Sequence, residues 1–229
     1  MVNMKYHCFF EQSGTFKNEF KKLGFKSYDY DILNQFNETD YIIDLYKEID
    51  KAYNEEKSIF DSFKSDEDTI LAFFPCIRFE AQILLAFRGD ASQDKKKSDI
   101  EKLRQNLRLH KELSNNYELI TKLVMICIRK KIPLIIENPY SEQHYLRRYW
   151  SLKPSIIDMN RTKKGDYFKK PTQYWFINRK PSTNFIFEPL NYTKTKRIDD
   201  CNTVERSMIS PQYANRFIRE YILDSDKEN

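Results

Sequence analysis

A thiol and a carboxyl group occupy matching places in this sequence. Cys76 follows Pro75 at the end of the apolar run Thr69 to Phe74, within the stretch D-T-I-L-A-F-F-P-C-I-R-F-E. Glu137 opens Glu137-Asn138-Pro139 at the end of a second apolar run, Ile132 to Ile136. A thiolate adds covalently to electron-poor carbon, and a carboxyl group supplies a proton to the atom that gains charge. Most cysteines are only small buried hydrophobes. A thiol and an acid that each end an apolar run point further, because a pure binding module has no physical need for both.

A third stretch has binding rather than reactive chemistry. In Cys8-Phe9-Phe10-Glu11-Gln12-Ser13-Gly14-Thr15-Phe16 a short apolar run breaks at a glycine-bearing turn and leads into an amphipathic pattern. Backbone N–H groups at such a helix start face a polar or anionic ligand. Asp31 ends the next run, roughly 20 residues on, where a carboxylate accepts ribose hydroxyls in nucleotide-binding units. Asp29 and Asp31 also suit simple loop capping. Asp44 ends a further short run, and the reading there is mixed: contact with a nucleobase amine and the N-cap of the next helix.

The elements that must carry these residues follow from periodicity. Tyr6 to Phe10, Lys26 to Asp31, Thr39 to Leu45, Thr69 to Phe74 and Ile132 to Ile136 read as strands. Helices are expected from Phe16 to Leu23, through about Tyr53, from Ile77 to Arg88, and from Ser98 to about Lys130 with a break near Ser114-Asn115-Asn116. Gly24 takes the C′ role, and Ser98-Asp99-Ile100-Glu101 is a capping box. Residues Gln173 to Asn178 and Asn184 to Phe187 read as a hairpin. A closing helix begins at Pro211 with Ser210 as N-cap.

Unbroken apolar runs are the mark of strands covered on both faces. The expected fold class is α/β: a doubly wound, mostly parallel Rossmann-like sheet with helices on both faces. The chain, 229 residues long, fits a single domain over 1–229. With 32% charged residues, 15% aromatics and only 4 glycines it is not a low-complexity chain. The net charge of +5 permits a polyanionic partner without requiring one.

Cysteines 8, 76, 127 and 201 lack the close pairs of a zinc site or a disulfide framework, and His7, His110 and His144 lack ligand spacing. No metal is expected, and the setting is read as reduced and cytoplasmic. No apolar window approaches a bilayer's thickness, so no membrane association is expected. Within 141–200 the chain turns basic and aromatic, as in N-R-T-K-K-G-D-Y-F-K-K-P-T-Q-Y. Cations interleaved with rings suit phosphate contact and base stacking, so this segment is read as a minimal nucleic-acid-contacting region.

Taken in order, the turn, the acidic strand ends, Pro-Cys and then Glu-Asn resemble the catalytic core of DNA cytosine-5 methyltransferases, which have the class I S-adenosylmethionine-dependent fold. The resemblance covers about Tyr6 to Pro139, and G-D-Y-F-K-K-P-T-Q-Y-W-F and R-S-M-I-S-P-Q-Y-A-N-R-F are similar to small phage-type members. It implies S-adenosylmethionine as cofactor and DNA as partner. Phe10, Ser13 and Gly14 would line the methionine side, Asp31 the ribose and Asp44 the adenine, with Pro75 also in the cofactor site. Cys76 would be the nucleophile and Glu137 would engage the target base. Arg78, beside the cysteine, would depress its pKa. Arg78, Asn138, Arg147, Arg148, Lys169 and Lys170 are the expected nucleic-acid contacts.

The chain departs from the family at several points. Gln12 replaces the first turn glycine, Phe74 replaces the first of two prolines, and no arginine pair is evident. The span after Pro139 is short for a target-recognition domain, which leaves room for a protein partner that supplies selectivity. RNA methylation stays open as a substrate alternative. The competing class is a non-catalytic module that keeps the fold to bind nucleic acid or a defence protein.

Overall fold

The computed structural model describes residues 4–80, 83–191, 194–197 and 200–223. Its strands are β1 (Lys5–Phe9), β2 (Lys26–Asp31), β3 (Tyr41–Ile42), β4 (Asp68–Ala72), β5 (Leu134–Pro139), β6 (Ile156–Asp158) and β7 (Thr172–Ile177). They form one sheet in the order β3-β2-β1-β4-β5-β7-β6. β1 pairs in parallel with β2 and β4, β2 with β3, and β4 with β5. β7 runs antiparallel to both β5 and β6. This is the Rossmann order 3-2-1-4-5-6 with one reversed strand inserted between the last two.

Alternation along each strand builds two cores. His7 and Phe9, Ile70 and Ala72, Leu134 and Ile136, and Trp175 face one side; Tyr6 and Cys8, Leu71, Ile135, Tyr174 and Phe176 face the other. The first side is covered by α2 (Leu45–Tyr53) and the second half of α4 (Asp99–Lys130), through Ile49, Ile120, Leu123 and Cys127. The second side is covered by α1 (Thr15–Lys22) and by a helix near the C-terminus, Pro211–Phe217, through Phe16, Phe20, Tyr213 and Phe217. Both faces of the sheet are therefore closed, and the apolar runs need no polar alternation. Among the described residues no helix is long and apolar enough to cross a membrane.

Helix ends follow the sequence closely. The Asp44 carboxylate accepts the N–H groups of Tyr46 and Lys47. Glu101 accepts the Ser98 N–H at 2.8 Å, Gly24 follows α1 with a positive φ of 85°, and the Ser210 hydroxyl accepts from Tyr213 N at 3.0 Å. Each is a local signal that needs no distant partner.

Four expectations are corrected. The helix expected from Ile77 is shorter: α3 covers Ile83–Arg88, because Phe79 N bonds back to Cys76 O at 2.7 Å and makes a turn instead. α4 runs unbroken through Ser114-Asn115-Asn116, since Leu113, Tyr117, Leu119 and Ile120 on either side pack into the core and outweigh weak local propensity. The third strand is reduced to Tyr41–Ile42. No strand forms at 184–187: both edges of β7 are already taken by β5 and β6, and Phe185 and Phe187 are 86% and 92% exposed.

The basic and aromatic segment 141–200 is not an appendage. After the short helix α5 (Tyr145–Tyr149) it supplies β6 and β7 to the central sheet and buries Trp150, Phe168, Tyr174 and Trp175. The helices α6 (Thr203–Ser207) and α7 (Pro211–Phe217) follow, and a π-helical turn, Ile218–Ile222, continues α7.

Candidate active site

Parallel strands leave their carboxyl ends on one edge of the sheet, and this is where the loops open a crevice. A cavity of about 650 Å³ lies there, of the size that takes a nucleotide-like small molecule. Phe10, Gln12 and Ser13 after β1, Asp31 at the end of β2 and Asp44 after β3 all line it. So do Pro75 and Cys76 after β4, Glu137 in β5, and Lys170 just before β7. The thiol and the acid, far apart along the chain, thus face the same space.

The cysteine loop is held from below by β5. The Asn138 side-chain amide, fully buried, donates to the Phe74 carbonyl at 3.0 Å. The Phe74 ring meets Phe10 at 5.2 Å, and Phe10 stands in the left-handed region with φ 60°. That backbone state is uncommon for a bulky residue and is maintained by its packing.

Cys76 is half-buried, and its Sγ donates to Glu80 Oε1 at 3.0 Å. Burial pushes the thiol well above its ordinary value, the charge and hydrogen bond of Glu80 add to the rise, and Lys170 opposes it. Arg78 does not activate the cysteine as expected. Its guanidinium is drawn away to Glu112, with Nε at 2.6 Å, and it borders two side grooves rather than the main cavity.

Glu137 is raised above the usual carboxylate range, first by loss of solvation, against the pull of Lys170 and Arg161. It is thereby biased toward the protonated form, which can donate a proton. Arg161 lines the same cavity while only 1% exposed. Its Nε donates to Asp166 Oδ2 at 2.5 Å, and Asp166 Oδ1 also accepts the Ser210 N–H at 2.8 Å. Sequence reasoning placed Arg161 in a basic surface and missed it. The available signal was Asp166 after Gly165, an acid positioned to pull one arginine of N-R-T-K-K-G-D inward.

Whether the wall suits S-adenosylmethionine turns on Gln12, which stands where a glycine was expected. The side chain does not close the cavity, and its buried Oε1 has no hydrogen-bond partner. An orphaned acceptor of this kind suits an amine or ammonium group of a ligand. Asp31 keeps one carboxylate oxygen on Leu33 N at 2.8 Å and is raised chiefly by burial. Asp44 is engaged as a helix cap yet still borders the cavity. The residues present fit the cofactor that the resemblance implies.

Other expected site residues lie elsewhere. Gly14 is the N-cap of α1 and is not part of the cavity wall; a Cβ there would come within 2.6 Å of Glu38 Oε2. Asn138 is buried under the cysteine loop and does not reach a nucleic acid. Arg147 pairs with Glu142 at 3.0 Å and covers the Tyr140 ring, and Arg148 donates to the Glu142 carbonyl. Neither lines the cavity, and exposed Lys169 does not line it either, whereas its neighbour Lys170 does. Cys8, Glu11 and Asp29 form the one cluster of metal-binding side chains among the described residues; its buried Asp29 already has Lys17 Nζ at 3.4 Å.

Compared with known proteins, the sequence matches no family model and no curated protein.

Proposed function

We propose that this protein methylates carbon 5 of cytosine in DNA, with Cys76 as nucleophile, Glu137 as acid and S-adenosylmethionine as methyl donor. The observation that carries this reading is the meeting of a thiol and a carboxyl group, the latter raised by burial, in one cavity. The same wall carries the β1–α1 turn and two acidic strand ends. The sheet order, with its reversed β7, fits the class I fold that the motifs resemble.

Carbon 5 of cytosine is a weak nucleophile. When Cys76 Sγ adds at carbon 6 and Glu137 protonates ring nitrogen 3, the ring becomes an enamine and carbon 5 becomes nucleophilic. Lys170 beside Glu137 offers a positive charge to the base's oxygen or to a phosphate. Bound S-adenosylmethionine supplies an electrophilic methyl group. Loss of the carbon 5 proton then expels Cys76. A cytosine inside a duplex must leave its stack to reach the cavity.

DNA containing 5-fluorocytosine tests the reading, because fluorine blocks the final elimination and traps the thioether. With S-adenosylmethionine the wild-type protein should form a covalent adduct that Cys76→Ser does not; no adduct across varied DNA sequences overturns the proposal. A non-catalytic binding module is favoured by one feature, a thiol pushed up chiefly by burial and further by the Glu80 carboxylate it is bonded to. Calorimetry separates the two: absence of S-adenosylmethionine binding supports the module.

A further inference from the structure

Cys76 has a base in direct contact with it that the sequence pattern does not announce. Its Sγ–H is donated to Glu80 Oε1 at 3.0 Å. The two residues open on different spaces: Cys76 lines the main cavity, whereas Glu80 lines a neighbouring groove of about 230 Å³ between α3, α4 and α5. The hydrogen bond joins the two spaces. Among the described residues no lysine or arginine is ion-paired with Glu80, so its carboxylate is not neutralised by a fixed cation.

We infer that Glu80 is a catalytic residue, the general base that takes the thiol proton as Cys76 attacks the pyrimidine. This rests on the proposed methyltransferase reading. In the forward step the S–H bond breaks and its proton passes to a Glu80 oxygen. The sulfur electron pair forms the bond to carbon 6, ring electrons move to nitrogen 3, and that nitrogen takes the Glu137 proton. At release water takes the carbon 5 proton and the electrons of that bond restore the C5–C6 double bond; the S–C6 bond breaks with its electrons returning to sulfur, nitrogen 3 returns its proton to Glu137, and Glu80 gives the thiol proton back. Glu80 holds that proton on the groove side, away from the substrate.

A base is needed because burial, and then Glu80, push the resting thiol above its ordinary value. Of the charged groups acting on it, Glu80 and Glu137 oppose the thiolate and Lys170 favours it. The reagent iodoacetamide, by contrast, reacts with free thiolate and gains nothing from Glu80. The two reactions should therefore move in opposite directions when Glu80 loses its charge.

The test compares wild type with Glu80→Gln, whose fold is checked by thermal denaturation. Iodoacetamide labelling of Cys76, followed by peptide mass, should speed up at pH 8, by about tenfold for each unit the thiol pKa falls. Adduct formation with 5-fluorocytosine DNA should slow by roughly a hundredfold, the usual scale of a lost general base. Added formate should partly restore adduct formation to Glu80→Ala. Adduct formation in Glu80→Gln that equals or exceeds wild type overturns the inference and leaves Glu80 a passive partner. A wild type that labels but forms no adduct overturns the methyltransferase reading itself.

Discussion

Asp29 and Asp31, two residues apart on β2, share a face of the sheet yet behave as different chemical groups. Asp31, at the strand's end, borders the cavity. Asp29 is sealed deeper in the fold beside Glu11, with Lys17 Nζ at 3.4 Å, and burial with the Glu11 charge pushes it up to about 9. Glu11 is raised by burial in the same way, while it accepts the Phe16 N–H at 2.8 Å and fixes the turn that leads to α1. The folded state therefore holds a proton that the unfolded chain gives up above about pH 4. Stability from this proton is complete below that value and is lost as pH rises toward 9. Asp29→Asn keeps the shape and removes the titration. Its stability relative to wild type should climb steadily between pH 5 and pH 8 in urea denaturation; a constant difference over that range would refute the shared proton.

At the scale of elements, the active-site loop depends on its neighbour strand. β4 ends at Ala72, and the chain continues through Phe73, whose N–H still donates to Phe9 O at 2.9 Å, then Phe74 and Pro75 to Cys76. The Asn138 amide on β5 supplies the bond that holds Phe74 O. Asn138→Ala leaves a buried carbonyl without a donor and should cost about 1–3 kcal/mol in thermal or chemical unfolding. It should also slow adduct formation, because Phe74 is two residues from Cys76. An unchanged melting temperature would show that the loop is held by other means. Sequence alone brought Asn138 to notice for a different role. An Asn after a strand-end Glu looks like a ligand contact, and only the parallel pairing of β4 with β5 turns it into a clamp.

For the whole molecule, the C-terminal helix is both a lid on one sheet face and a brace for the cavity. Phe217 is buried against Tyr174, with ring centroids 4.2 Å apart, and against Phe16 at 6.1 Å. Phe217→Ala opens a cavity under β7 and should cost about 3–5 kcal/mol by chemical denaturation. A loss below about 1 kcal/mol would mean that this face repacks freely. The same helix begins at Ser210, whose N–H and hydroxyl hold Asp166 and Gly165, and Asp166 in turn holds Arg161 at the cavity wall. A segment at the far end of the chain thus positions a cation near Glu137.

What the sequence determined by itself is what short-range chemistry decides. Apolar runs, caps and the glycine after α1 mark the strands and helix ends, and Cys76, Glu137, Asp31 and Asp44, each at or near the carboxyl end of a parallel strand, meet at one edge because parallel strands point the same way. What only the tertiary structure decided depends on partners distant in the chain. Arg78 was expected to aid Cys76 and is instead taken by Glu112 on α4, and Arg161, one basic residue among several, is drawn inside by Asp166. Glu80 lies only four residues beyond Cys76, and its bond to the thiol spans the tight turn that the chain makes there. A side chain's charge is written in its residue type, but the group that neutralises it, and the solvent it loses, are set by whatever the fold packs against it.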